Sequence, residues 1–174
     1  MSELYLLRHA KAVPADTGTR DSDRVLDALG HDGARAIARW IARHGLQPDL
    51  VLCSTATRTR ETLDLVVGAF PRRPDIRFEG ELYLASADRL MARLRGGAVE
   101  TQRLMMVGHN PGLHELAQSL ADVTTGPLAS RLATNLPTAG LVRFEIAVEW
   151  AGVQRRCARL VAFVTPMDEP SAAM

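Results

Sequence analysis

Three short apolar runs, each followed by a segment of helical periodicity, and an alternating stretch near the C-terminus predict an α/β protein. The expected architecture is three-layer α/β/α, with a largely parallel central sheet and a C-terminal antiparallel hairpin. The runs are Leu4-Tyr5-Leu6-Leu7, Leu50-Val51-Leu52-Cys53 and Leu104-Met105-Met106-Val107. A strand that is apolar at every position is one covered on both faces, which happens when helices lie above and below a parallel sheet. At 174 residues the chain has the size of one domain, and residues 1–165 are expected to form it, with 166–174 a C-terminal tail.

The elements follow in order. The first run is a strand, and the polar stretch from Val13 to Arg24 reads as a loop. From Asp32 to His44, Ala34, Ile37, Ala38 and Ile41 recur at helical spacing, with Gly45 as C-cap. The second run leads into a helix from about Thr57 to Phe70, carrying Leu63, Val66 and Val67 on one side and ended by Pro71 and Pro74. Ile76 to Phe78 is a short strand. Ser86 can N-cap the next helix, which has Asp88 in its first turn, Leu90, Met91 and Leu94 inward, and Gly96-Gly97 as its stop. After the third run, Asn110 reads as a cap and Pro111 as the first helical residue, ahead of Leu113, Leu116, Ala117 and Leu120. Leu141 to Trp150 and Arg155 to Val164 form the hairpin, turning at Ala151-Gly152.

Composition excludes several classes of function. Lys+Arg 21 and Asp+Glu 20 leave a net charge of +1, so no global field draws the chain to nucleic acid or an anionic membrane. The clusters Arg72-Arg73, Arg89-Arg93-Arg95 and Arg155-Arg156-Arg159 have no interleaved aromatics; they suit solvent or an acidic protein partner better than a nucleic acid. The single lysine, Lys11, lies outside any phosphate-binding P-loop pattern. Cys53 and Cys157 form no C-x-x-C pair, and His114 follows His109 by five residues, not the four that align two ligands on a helix. Neither a disulfide framework nor a metal site is expected. No apolar run approaches the ~18 residues of a membrane span or resembles a signal sequence, so a cytoplasmic location is expected.

In a sheet of this kind ligands bind beyond the carboxyl ends of the strands. There the sequence places Arg8-His9 after the first run, Ser54 and Arg58 after the second, and Gly108-His109-Asn110 after the third. Guanidinium groups bind phosphate oxygens through paired charge-assisted hydrogen bonds, and a neutral imidazole is a competent nucleophile towards phosphorus. A second, protonated histidine would stabilise charge on the transferring group. Arg58 and Arg60 are alternatives for one role, and Cys53 lacks the five-residue spacing to an arginine that cysteine-dependent phosphatases need.

These residues resemble the motifs of the histidine phosphatase (phosphoglycerate mutase-like) superfamily. LYLLRHAKA, from Leu4 to Ala12, resembles its R-H-G motif, and STATRTRET, from Ser54 to Thr62, resembles S-x-x-x-R-x-x-Q-T. VGHNPGL, from Val107 to Leu113, is similar to the second-histidine motif of the short, SixA-type branch of phosphohistidine phosphatases. Arg24-x-Leu26-x-x-x-Gly30 and Leu136-Pro-Thr-Ala-Gly140 extend the likeness over about residues 2 to 165. Ala10 stands where many relatives have glycine, and Glu61 replaces the glutamine.

The resemblance implies a phosphatase that uses no metal or other cofactor. His9 would be the transiently phosphorylated nucleophile, Arg8 and Arg58 would grip the phosphate, and His109 would donate to the phosphoryl oxygens. Glu81 would be the general acid. It also implies a phosphorylated protein as substrate, for instance a histidine phosphotransfer domain, or a small phosphate ester. A phosphomutase and a non-catalytic phosphate-binding module are the alternatives. The first needs a lid, for which the chain has no long insertion; the second has no use for a reactive His9.

Overall fold

The computed structural model describes residues 1–97 and 101–169. In chain order the elements are β1 (Ser2–Arg8), α1 (Ala28–His44), β2 (Leu50–Ser54), α2 (Thr57–Val66), β3 (Asp75–Glu79), α3 (Ala87–Gly97), β4 (Arg103–Gly108), α4 (Gly112–Leu120), α5 (Pro127–Thr134), β5 (Leu141–Ile146) and β6 (Ala158–Val164). They build one six-stranded sheet in the order β3-β2-β4-β1-β5-β6. The first four of these neighbours are parallel; β5 runs antiparallel to both β1 and β6.

The continuous apolar runs arise because side chains alternate between two covered faces. Leu4, Leu6, Leu50, Leu52, Leu104 and Met106 meet Leu90, Leu94, Leu113 and Leu116 of α3 and α4 on one side. Tyr5, Leu7, Val51, Cys53, Met105 and Val107 meet Ile37, Ile41, Leu63 and Val66 of α1 and α2 on the other. The expected α/β/α layering is therefore the observed one. No helix among the described residues is long and apolar enough to cross a membrane.

Several boundaries differ from expectation. α1 begins at Ala28, not Asp32, because the Asp27 carboxylate accepts from the Gly30 N–H at 2.7 Å and caps the helix earlier. Gly45 ends it in the left-handed conformation, as expected. α2 stops at Val66, and a single tight turn, Val67–Ala69, covers the rest of the expected span. Pro111, not Asn110, is the N-cap of α4; the Asn110 amide instead donates to the Leu136 carbonyl at 2.9 Å. α5 has no counterpart in the sequence reading. The hairpin strands are shorter than expected because Trp150 folds inward in a turn, its indole N–H donating to the Thr101 carbonyl. The segment expected to fray from Pro166 is anchored as far as the description extends. A turn at Pro166–Asp168 is tied by Asp168 to Arg131 at 2.6 Å, and Glu169 pairs with Arg43.

One close approach holds the layers around the carboxyl edge of the sheet. A Cβ on Gly112, at the start of α4, would lie 1.9 Å from the Ala85 carbonyl oxygen, so only glycine fits. Gly112→Ala is expected to destabilise the fold by about 2–3 kcal/mol in urea denaturation, the cost of overpacking rigid backbone. A change below about 0.5 kcal/mol would mean that the two segments can separate without loss.

Candidate active site

The carboxyl ends of β1, β2 and β4 bring four of the expected residues into one cleft. His9 directly follows β1, and its backbone is held on both sides. Its N–H donates to the Gly108 carbonyl at 3.1 Å and its carbonyl accepts from Ala139 at 3.0 Å, while the Arg8 N–H donates to Gly140 at 3.0 Å. The Leu136–Gly140 loop thus clamps β1 from the side opposite β4. Thr62 of α2 fixes the next peptide, its hydroxyl accepting from the Ala10 N–H at 2.9 Å.

His9 is 8% exposed, and its Nδ1 lies 2.7 Å from the Ala10 carbonyl. A carbonyl only accepts, so Nδ1 carries the proton and Nε2 keeps its lone pair. His109, at the end of β4, faces His9 with ring centroids 5.2 Å apart. Its Nε2 lies 2.8 Å from the Ser54 hydroxyl and its Nδ1 lies 3.4 Å from Arg58 Nη2.

Arg58 enters from the first turn of α2 and is 2% exposed. It donates from Nη1 to the Asp21 carbonyl at 2.6 Å and from Nη2 to the Asp21 carboxylate at 3.0 Å. Arg8 donates from Nη1 to the Leu136 carbonyl at 2.9 Å. Both guanidiniums retain a buried Nε–H with no partner among the described residues. A buried, unpaired charged donor is costly, and two of them beside paired histidines fit an anion whose oxygens accept from both. Arg60, the alternative to Arg58, lies outside the cleft, its guanidinium 4.8 Å from the centre of the Phe78 ring.

Burial and electrostatics keep both histidines uncharged. His9 is pushed down to about 4, first by loss of solvent, with Arg58, Arg8 and Arg24 adding to the shift against the Ala10 hydrogen bond. His109 is pushed down to about 3 by loss of solvent, then by His9 and Arg58. The expectation of a protonated second histidine is thus corrected for this structure: a third positive charge beside two guanidiniums is unfavourable. Neither ring is expected to titrate between pH 5 and 8 in a nitrogen-15 NMR titration of the protein. A midpoint near the ordinary 6.5 for either ring would show that solvent reaches it.

Two residues absent from the sequence reading complete the cleft. Asp21 lies in a single turn, Asp21–Asp23, within the expected loop, and its carboxylate accepts from the Tyr83 hydroxyl as well as from Arg58. These hydrogen bonds, Tyr83 first, hold it below the usual carboxylate range, so it is ionised at neutral pH. Tyr83 meets the His109 ring edge-on, centroids 5.4 Å apart.

Glu81 does not join them, and its expected role as general acid is corrected. The turn Gly80–Leu82 sends Leu82 into the core, and Tyr83 just beyond it reaches the cleft. Glu81 is left exposed in a shallow surface hollow with Arg77, Arg89 and Arg93.

Two neutral histidines and two arginines with unpaired Nε–H groups thus stand together at the carboxyl ends of the parallel strands, an arrangement suited to an anionic group. The histidine phosphatase superfamily (branch 1) model matches residues 4–83. An uncharacterized protein of Mycobacterium tuberculosis is 34% identical over 162 residues, covering 92% of this chain and 99% of the relative. The candidate phosphohistidine phosphatase SixA of Agrobacterium tumefaciens superposes with a TM-score of 0.78 at 33% identity, covering 94% of this chain and 97% of that one. That of Nakamurella multipartitia gives a TM-score of 0.81 at 26% identity over 94% and 95% of the two chains. The chain belongs to the histidine phosphatase superfamily.

Proposed function

We propose that the protein hydrolyses phosphohistidine carried on another protein, through a covalent phosphohistidine formed at His9. The observation that carries the substrate class is the Asp21 carboxylate at the cleft, which accepts from Tyr83 and Arg58, donors that favour its charged form. An alkoxide leaving group has to receive a proton, which a carboxylate held in its charged form does not carry. A phosphorylated imidazole brings its own proton on the second ring nitrogen, and a carboxylate stabilises that N–H. The two solved relatives whose names specify phosphohistidine support the same class.

In the first step the Nε2 lone pair of His9 attacks phosphorus in line. The substrate's P–N bond breaks, its electron pair returns to the departing imidazole, and that ring leaves neutral. Arg8, Arg58 and His109 hold the equatorial oxygens. In the second step water attacks phosphorus and the bond to Nε2 breaks. The pair returns to His9, and the water's protons leave on phosphate as dihydrogen phosphate.

The test compares kcat/KM for a phosphohistidine-bearing protein with that for an aryl phosphate, in the native protein and in Asp21→Asn. The substitution is expected to lower phosphohistidine turnover about tenfold, roughly one charge-assisted hydrogen bond, and aryl phosphate turnover several-fold less. An equal loss on both substrates contradicts the assignment of phosphohistidine.

A further inference from the structure

His109 poses a chemical problem that its neighbours solve. In this structure its Nδ1 faces Arg58 Nη2 at 3.4 Å, and a guanidinium nitrogen can only donate. Nδ1 is therefore the acceptor, and the neutral ring carries its proton on Nε2, 2.8 Å from Ser54 Oγ. A phosphoryl oxygen can also only accept. To bind one, His109 needs the proton on Nδ1, the nitrogen on the cleft side, since Nε2 is turned to the fully buried Ser54.

A hydroxyl is suited to this exchange because it accepts and donates from one fixed oxygen. The other contact of Ser54 Oγ is the Ala56 N–H at 3.4 Å; with His109 Nε2–H donating as well, both lone pairs are taken and the hydroxyl proton has no acceptor among the described residues, so turning it towards Nε2 breaks no existing hydrogen bond of that proton. We propose that Ser54 is a positioning residue that lets His109 exchange tautomers when a phosphoryl group binds, so that His109 donates from Nδ1 as a neutral ring. This rests on the reading of the cleft as a phosphoryl site. One proton leaves Nε2 and one is gained at Nδ1 by exchange with water, so the ring's charge is unchanged. Ser54 turns from acceptor to donor with no movement of heavy atoms.

The groups facing His109 favour this route over protonation. They are His9 and Arg8 from the β1 side, Arg58 from α2, Asp21 from the turn before α1, and Tyr83 from the turn after β3. Two guanidiniums oppose a further positive charge, and Asp21 is the one carboxylate among them. A neutral histidine acting as donor needs no proton from solution, so its function does not fade as pH rises above the ordinary histidine range.

The experiment is nitrogen-15 NMR of the full chain, labelled at histidine, at pH 7.5 with and without saturating inorganic phosphate. The expected result is that phosphate moves the His109 proton from Nε2 to Nδ1 with one proton on the ring throughout. Protons on both nitrogens with phosphate bound, or a proton that stays on Nε2, overturns the proposal while leaving the phosphoryl site intact. If phosphate perturbs neither His9 nor His109, the site reading fails and the proposal with it. In kinetics, Ser54→Ala is expected to lower kcat about tenfold at pH 8 and by less at pH 6, where the negative charge of the bound phosphoryl group, absent from the empty cleft, favours protonation of His109 and supplies the Nδ1–H by another route. Ser54→Thr, which keeps the hydroxyl, should recover most of the loss. A loss in Ser54→Ala that is the same at both pH values marks a merely structural role and contradicts the exchange. The NMR result on the native protein stands whether or not the variants fold.

Discussion

His9→Ala is expected to lower kcat/KM for a phosphohistidine-bearing substrate by about 10⁴ or more, with phosphate binding largely kept. Loss of a covalent nucleophile removes the reaction path itself, whereas removal of one binding group only raises the barrier along it. Arg8, Arg58 and His109 remain to hold the phosphoryl oxygens, so affinity for inorganic phosphate should stay within about tenfold of native. The two readouts separate chemistry from binding. The fold should tolerate the change, since the backbone of His9 is fixed by Gly108 and Ala139 without its ring. Steady-state kinetics with circular dichroism on the same sample checks this. A variant that keeps more than about 1% of native turnover would require another nucleophile.

Arg58→Ala comes next in size, with an expected fall in kcat/KM of about 10³, the upper range for loss of one preorganised donor at a developing charge. The reason lies in its surroundings. Arg58 is buried and spends two of its donors on Asp21, yet leaves an Nε–H for the ligand. Asp21 sets the angle of the fork, and deleting the guanidinium leaves that carboxylate beside the phosphoryl group with only Arg24 and Tyr83 to compensate it. Arg58→Lys should recover less than a tenth of the loss, because an ammonium cannot bond Asp21 and a phosphoryl oxygen with the same planar geometry. Arg60→Ala, outside the cleft, serves as the control and is expected within about twofold of native. Equal losses at positions 58 and 60 would contradict the placement of the phosphate.

How much of this is legible in the sequence depends on the range of the interaction. Leu4–Leu7, Leu50–Cys53 and Leu104–Val107 announce strands covered on both faces because burial acts on every residue in turn, so the layering follows from local pattern. The strand ends then point to His9, Arg58 and His109, since a doubly wound sheet places its ligands there. What the pattern hides is which side chains meet across the cleft. Asp21 sits in a polar loop with nothing local to distinguish it from Asp23, and its importance comes from Tyr83 and Arg58, both far away in the chain. Glu81 carries the right chemistry two residues from Tyr83, but a tight turn directs the two side chains differently. The start of α1 was masked by the same ambiguity, because Asp27 reads equally as loop and as cap until the Gly30 N–H is seen to donate to it. α5 escapes notice because eight residues with two buried side chains, Ala129 and Leu132, make too short a stripe to stand out.

The charge state of the cleft is the least legible feature. Arginines and histidines in a motif suggest a strongly positive site with an imidazolium in it, whereas burial leaves both rings neutral. One neutral ring is then ready to attack and the other is dependent on a hydroxyl to offer its proton, so Ser54 and Ala10 determine as much as the charged residues do.

The most direct test of the nucleophile is to quench the native protein during turnover of a phosphohistidine-bearing substrate and map the protein-bound phosphate. Acid-labile, base-stable phosphate on Nε2 of His9, absent from His9→Ala, is the expected result. Turnover without any phosphate on the enzyme, or phosphate mapped to His109 or another residue, would contradict a covalent path through His9.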